Sequence, residues 1–220
     1  MVQIHLDTPR VEGTAVIRNE PVQARSAARL TALLDAAAHV VDEIGYERLT
    51  TAMVAEHAGA SIGTVYRYFP DRIAVLQSLA ARNVERTSGS TFAALMDPAR
   101  ENWFMALGAV FDEIKAAYRD EPGFASLRYG DVLDLRPATG LPTMQGFADN
   151  LFGALVSRFD LDGSDAARTA FSAVVVATDA LTARAFSRDP HGDENFLLAG
   201  VATASALMSP YWPVPRADSA

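Results

Sequence analysis

The sequence predicts an all-α protein, a short and heavily punctuated set of helices at the N-terminal end followed by longer ones. Three observations carry that expectation. Apolar residues recur at helical spacing from Ser26 to Gly45 and through most of the chain beyond residue 100. Turn signals cut the chain at helix-length intervals: Asp97-Pro98, Glu121-Pro122, Arg136-Pro137, Asp162-Gly163 and Asp189-Pro190. The best strand candidate, Val174-Val175-Val176, lies in an alanine-rich stretch with a helical period, so its β-propensity is overridden.

Residues 1–24 show no sustained period and contain Pro9, Gly13 and Pro21, which predicts a flexible N-terminal arm. Leu30, Leu33, Leu34, Ala37, Val40, Val41 and Ile44 then form one apolar face, and Gly45 closes that first helix. Thr50 or Thr51 caps a second, short helix running to about Ala58, and Gly59 breaks it. Ser61 or its neighbour caps a third to about Phe69, and Pro70-Asp71 opens a fourth towards Ser88. Further helices are expected over roughly 100–119, 122–129, 141–159, 164–188 and 193–208. The pattern divides the chain into an arm at 1–24, a first domain at 25–86 and a second at 87–220.

The chain has 220 residues, half of them hydrophobic and 21% charged, the balance of a folded domain. It has no cysteine, which excludes disulfides, thiolate metal sites and cysteine nucleophiles. The formal net charge of −8 speaks against a nucleic-acid partner until its distribution is examined. Residues 25–86 hold seven arginines against seven carboxylates, and the acidity belongs mainly to residues 87–220. A neutral first domain can still present a basic face. No secretory signal is visible in residues 1–24, so the protein is expected in the cytoplasm. The longest uncharged run is Asn195 to Pro215, but its helix-compatible part ends near Ser209 before Pro210, Pro213 and Pro215, too short for the about 20 residues of a membrane span, so a buried helix is expected.

The informative segment is LTTAMVAEHAGASIGTVYRYFPDRIAVL, Leu49 to Leu76. Met53, Val54 and Ala58 give its first helix an apolar face. After the glycine break, Ile62, Val65 and Phe69 face inward, leaving Ser61, Gly63, Thr64, Tyr66, Arg67 and Tyr68 outward. Such a set suits the major groove: short hydroxyl side chains allow close approach, tyrosine hydroxyls reach phosphates or base edges, and arginine supplies charge and bidentate geometry. By spacing alone, a glycine-linked helix pair is equally a packing unit of any helical protein.

The segment resembles the DNA-binding region of the TetR family of transcriptional regulators. The resemblance spans about residues 26–82 and rests on Ala38 and Gly45, Leu49-Thr50-Thr51, Val54-Ala55, Ala58-Gly59, Ser61-x-x-Thr64-Val65-Tyr66-x-Tyr68-Phe69 and Leu76. It implies an N-terminal three-helix helix-turn-helix DNA-binding domain joined to a C-terminal helical ligand-binding and dimerisation domain. It further implies DNA contacts from Thr51, Ser61, Gly63, Thr64, Tyr66, Arg67 and Tyr68, with Arg72 at the phosphate-binding position after the recognition helix. Here Pro70-Asp71 replaces the commoner Asn-Lys style. A ligand-responsive repressor of a palindromic operator is the function implied, without cofactor or metal.

Two decoys are set aside. Gly59-Ala60-Ser61-Ile62-Gly63 spells the nucleophile-elbow pattern of α/β hydrolases, but a helix precedes it where the elbow needs a strand. The four histidines, His5, His39, His57 and His191, lack metal-ligand spacing.

In the second domain, Ala166, Ala170, Ala173, Ala177 and Ala180 form a small-residue face beside Phe171, Val174, Val175, Thr178 and Leu181. Both faces are expected to be buried, and the resemblance assigns the last two long helices to a homodimer interface. Bulky groups crowd residues 100–160. Trp103, Phe111, Phe124, Phe147 and Asn150, with Phe171 and Asp179 of the next helix, are the candidate lining of a small-molecule effector site. Asp179 stands out because a carboxylate inside VVVATDALT needs a partner. The rival readings are a helical enzyme acting on a small apolar substrate, which needs an acid/base pair beside the cavity, and an architectural DNA-bound protein without effector.

Overall fold

The computed structural model describes residues 24–129 and 143–213. The expected arm at 1–24, apart from its last residue, and the first two residues of the expected 141–159 helix lie outside the described residues. All regular elements among the described residues are helical: α1 (Ala24–Ile44), α2 (Thr51–His57), α3 (Ile62–Tyr68), α4 (Arg72–Met96), α5 (Trp103–Asp120), α6 (Phe124–Leu127), α7 (Met144–Phe159), α8 (Asp165–Phe186) and α9 (Glu194–Met208). A single 3-10 turn, Tyr46–Arg48, joins α1 to α2.

Local chemistry explains the boundaries. Thr50, Ser61, Asp71, Asn102, Thr143 and Ser164 each accept a backbone N–H in the first turn of the helix that follows. Gly59 ends α2 at φ +57°, where Ala60 N donates to the Ala55 carbonyl and Gly59 N to that of Glu56. This left-handed termination uses up two orphan carbonyls and turns the chain sharply into α3.

The fourth helix is longer than the sequence suggested. Gly89 was expected near its end, yet α4 continues to Met96, and nothing crowds the missing Cβ of Gly89. The expected boundary at 86/87 therefore falls inside a helix. The packing nevertheless divides close by. Buried residues up to Ala80, with Leu127 of α6, belong to one cluster, whereas Val84 and Leu95 belong to a second built by α4 to α9.

Two further differences concern α8 and the C-terminal end. The alanine face of α8 is not covered within one chain: Ala173, Val176 and Ala180 are all exposed, Val176 at 64%, and Leu198 of α9 beside them at 59%. By length and composition α8 is also apolar enough to cross a membrane, but its inner face packs along α9, α7 and α5. Beyond α9, Trp212 is fully buried, stacks on Phe152 at 5.7 Å and donates its indole N–H to the Asp162 carbonyl.

Candidate functional site: a helix-turn-helix face and an apolar cavity

The first site is the outer face of α2 and α3. Val65, Tyr68 and Phe69 anchor α3 in the same buried cluster as Leu33, Ala37 and Val41 of α1. Tyr68 was expected outward; instead it is 2% exposed and its hydroxyl meets Ser26 Oγ at 3.0 Å, tying α3 to the start of α1. Ile62 was expected inward and is 43% exposed. A seven-residue helix makes only two turns, so Ile62/Val65/Phe69 and Val65/Tyr68/Phe69 are competing registers of one apolar face. The second wins because a ring buries more surface and its hydroxyl finds a partner.

Of the remaining expected residues, Gly63, Tyr66 and Arg67 are exposed together. Ser61 Oγ and Thr64 Oγ1 lie 2.9 Å apart, with Thr64 N donating to Ser61 Oγ, so this pair caps α3 as well as facing outward. Thr51 Oγ1 donates to the Tyr66 hydroxyl at 3.4 Å, which sets the rim of α2 against the middle of α3. The Arg67 guanidinium lies over the Tyr68 ring, 5.3 Å from its centre. Arg72 donates through one Nη to the Glu47 carbonyl at 2.8 Å, which holds the side chain at the edge of this face. Arginine has five N–H donors, so one such bond leaves capacity for an anion.

The second site is a cavity of about 110 Å³ enclosed by α5, α7, α8 and α9. Phe111, Phe147, Phe171 and Asp179 line it as expected. Trp103, Phe124 and Asn150 do not. Trp103 is turned into the Trp212 cluster, 5.5 Å between ring centres, and donates to the Pro213 carbonyl. Phe124 packs behind the wall between Tyr118 and Tyr129, and Asn150 is on the exposed side of α7. Phe104, Leu107, Met144, Leu151 and Val201 were not among the expected lining residues and share the lining with Thr178 and Thr182. Phe111 lies against α9 at Gly200, where a Cβ would meet the ring at 3.4 Å, an ordinary contact.

Asp179 is the charged residue of this lining. Tyr118 donates to its Oδ1 at 3.1 Å and Arg128 to its Oδ2 at 2.5 Å. Burial, and then the neighbouring Asp179 carboxylate, push the Tyr118 hydroxyl above its ordinary range, so it stays a neutral donor. Arg128 ends α6 at φ +48°, and Asn83 of α4 donates to its carbonyl at 3.0 Å. The other end of α6 is fixed to the first cluster: Gly123 N donates to Asp42 of α1 at 2.9 Å, and a Cβ at Gly123 would lie 2.6 Å from the Ala38 carbonyl. Leu127 is buried in that same cluster. One turn of helix thus touches both the cavity's carboxylate and the helix that carries α3.

Comparison with known proteins bears on both sites. Residues 33–79 match the bacterial regulatory proteins of the tetR family, and residues 101–203 match the tetracyclin repressor-like C-terminal domain. A TetR-family transcriptional regulator from Streptomyces coelicolor is 32% identical and superposes with a TM-score of 0.70 over 84% of this chain and 97% of that one. The chain belongs to the TetR family. It is also similar to the HTH-type transcriptional repressor KstR of Mycolicibacterium smegmatis, 38% identical over 64 residues, or 29% of this chain and 31% of KstR. It thus matches about a third of the length of KstR. The nucleoid occlusion factor SlmA of Haemophilus influenzae is 29% identical over 65% of this chain and 63% of its own. The all-helical TetR architecture expected from the sequence is therefore the one present.

Proposed function

We propose that this TetR-family chain is a ligand-responsive, DNA-binding transcriptional regulator, a cytoplasmic homodimer that represses from a palindromic operator until a small apolar or amphipathic effector releases it. The observation that carries the reading is the pairing, in one chain, of an exposed α3 face with an apolar cavity, bridged by α6. Residues 25–86 form the DNA-reading part and residues 87–220 the effector and dimer part. Ser61, Gly63, Thr64, Tyr66 and Arg67 meet the major groove, while Thr51 and Arg72 contact the flanking phosphates. Repression follows KstR, whose name is that of a repressor.

The uncovered apolar strip of α8 and α9 supports the homodimer. Val176, Leu198 and Val201 are large apolar groups left at the surface, on helices whose other faces are packed. A strip of this kind, with alanines at Ala173 and Ala180 allowing close approach, is covered by its two-fold copy. Val201 lies both in that strip and in the cavity lining. A guest in the cavity therefore presses on the dimer contact and on α6 together, and a small change in the spacing of the two α3 helices takes one of them out of register with its half-site.

The test is selection of bound sequences from random duplex DNA by the purified chain at several salt concentrations. Enrichment of a palindrome is expected, with Arg72→Ala flattening the salt dependence of binding to it. Failure of the folded, effector-free protein to enrich any sequence overturns the reading.

A further inference from the structure

We infer, resting on the reading of α3 as the helix that enters the major groove, that Ile62 is a specificity-determining residue of this protein: it recognises the 5-methyl group of a thymine in each half-site.

The rotation of α3 puts Ile62 in position. Val65, Tyr68 and Phe69 are buried, so at about 100° per residue the opposite side of the helix is centred on Gly63 and Arg67. Ile62 and Tyr66, four residues apart, form the stripe beside that centre. Both are exposed to the same degree, Ile62 at 43% and Tyr66 at 44%. The half-buried apolar side chains packed against the N-terminal cluster are Leu30, Ile44, Tyr46, Ala58 and Ala60, and Ile62 is not one of them. At the centre of the face, a Cβ on Gly63 would meet nothing closer than Ser61 Oγ at 3.8 Å. No side chain there holds the groove away, so the α3 backbone approaches the base edges closely enough for the short reach of an isoleucine.

Its chemistry limits what it recognises. A single exposed isoleucine is ordinary on a protein surface, but this one is pressed against nucleic acid when α3 docks. It has no donor for a phosphate oxygen. Set against guanine N7 and O6, adenine N6 or cytosine N4, it would take a hydrogen-bonding group away from water without replacing the bond. The thymine 5-methyl is the apolar group that an unmodified duplex presents in this groove, and covering it removes apolar surface of both partners from water. Of the outward residues that carry a side chain, Ser61, Ile62, Thr64, Tyr66 and Arg67, Ile62 alone has no polar side-chain atom. The Ser61 and Thr64 hydroxyls, 2.9 Å apart, are engaged with each other.

The experiment is a methyl scan of the palindromic duplex selected by the full chain, with affinities read by fluorescence anisotropy. Each thymine in turn is replaced by deoxyuridine, which deletes the 5-methyl and keeps every hydrogen-bonding group of the base. We expect one position per half-site to weaken binding about fourfold, the ratio equivalent to roughly 0.8 kcal/mol for one buried methylene-sized group. At that same position 5-methylcytosine should bind better than cytosine by a similar factor. In Ile62→Ala both sensitivities disappear there, while the salt dependence, set by the phosphate contacts, is unchanged. Ile62→Val, which keeps both γ-carbons, retains part of the sensitivity, and denaturant titration of each variant separates a lost contact from a lost fold. Specific binding with no thymine whose methyl matters overturns the inference and leaves α3 as the reading helix. A methyl dependence that persists undiminished in Ile62→Ala does the same. Failure to select any duplex overturns both the inference and the reading on which it rests.

Discussion

The two buried clusters differ in the kind of side chain that fills them. The N-terminal cluster is made largely of alanine, valine and leucine, including Ala36, Ala37, Ala38, Val40, Val41, Val54, Val65 and Val75, with Tyr68 and Phe69 as its rings. The C-terminal cluster is built from Trp103, Tyr118, Phe124, Tyr129, Phe147, Phe152, Phe171 and Trp212, and it encloses the cavity. Small side chains tile closely and hold the helices in one geometry, which is what reading a DNA groove demands. Large flat rings between long helices leave space where their planes diverge, and that space can take a guest. One chain thus carries a stiff unit and a hollow one, joined by α4 and α6.

Matched truncations measure that contrast most strongly. Phe69→Ala removes a fully buried ring from the tiled cluster and is expected to cost about 4 kcal/mol in denaturant unfolding. Phe147→Ala removes a ring that already borders empty space and forfeits fewer contacts, so its cost should be about 2 kcal/mol. Equal losses would break the contrast between the clusters.

The joint between the clusters is the next target. Arg128→Gln removes the guanidinium paired with the mostly buried Asp179 carboxylate and should destabilise the fold by about 2–3 kcal/mol. Both side chains keep some exposure, at 20% and 12%, which holds the loss below that of a fully buried pair. The same substitution should change operator affinity in the absence of any effector, measured by fluorescence anisotropy; an unchanged affinity would remove α6 as the connection.

Smaller effects come from the edges of each unit. Ser61→Ala deletes the cap of α3 and is expected to cost about 1 kcal/mol while weakening DNA binding. Tyr118→Phe removes the hydrogen bond to Asp179, a loss on the order of 1 kcal/mol at neutral pH, and also changes the response to alkali. Its hydroxyl is held above its ordinary range in the folded state, so the unfolded chain loses that proton first as pH rises past the usual tyrosine value near 10. Stability from this group is complete below that pH and declines above it. Tyr118→Phe should flatten the decline in denaturant titrations between pH 9 and 11.

The N-terminal unit was legible almost to the residue. Its caps and breakers act locally: Thr50, Gly59, Ser61 and Asp71 each do their work within four residues of where they stand. What local signals left open was the rotation of a two-turn helix, and there Tyr68 and Ile62 exchanged places through a contact with Ser26, 42 residues away in sequence. The cavity was legible as a composition of rings and as the anomaly of Asp179. Its membership was not, because Trp103 and Phe124 differ from Phe111 and Phe147 only in how α5, α6 and α7 pack, and the partner of Trp103 is a residue beyond α9. The alanine face of α8 reads as buried by composition, and one chain leaves it uncovered, as the homodimer proposed above requires.

The central claim is that two α3 helices, held at a fixed separation by paired α8 and α9 helices, read two half-sites at once. The direct measurement is the affinity of the chain for its selected palindromic duplex before and after insertion of five base pairs between the half-sites, about half a helical turn. The account predicts a fall to the affinity of a single half-site, since the second α3 then faces the far side of the duplex. An unchanged affinity would contradict it.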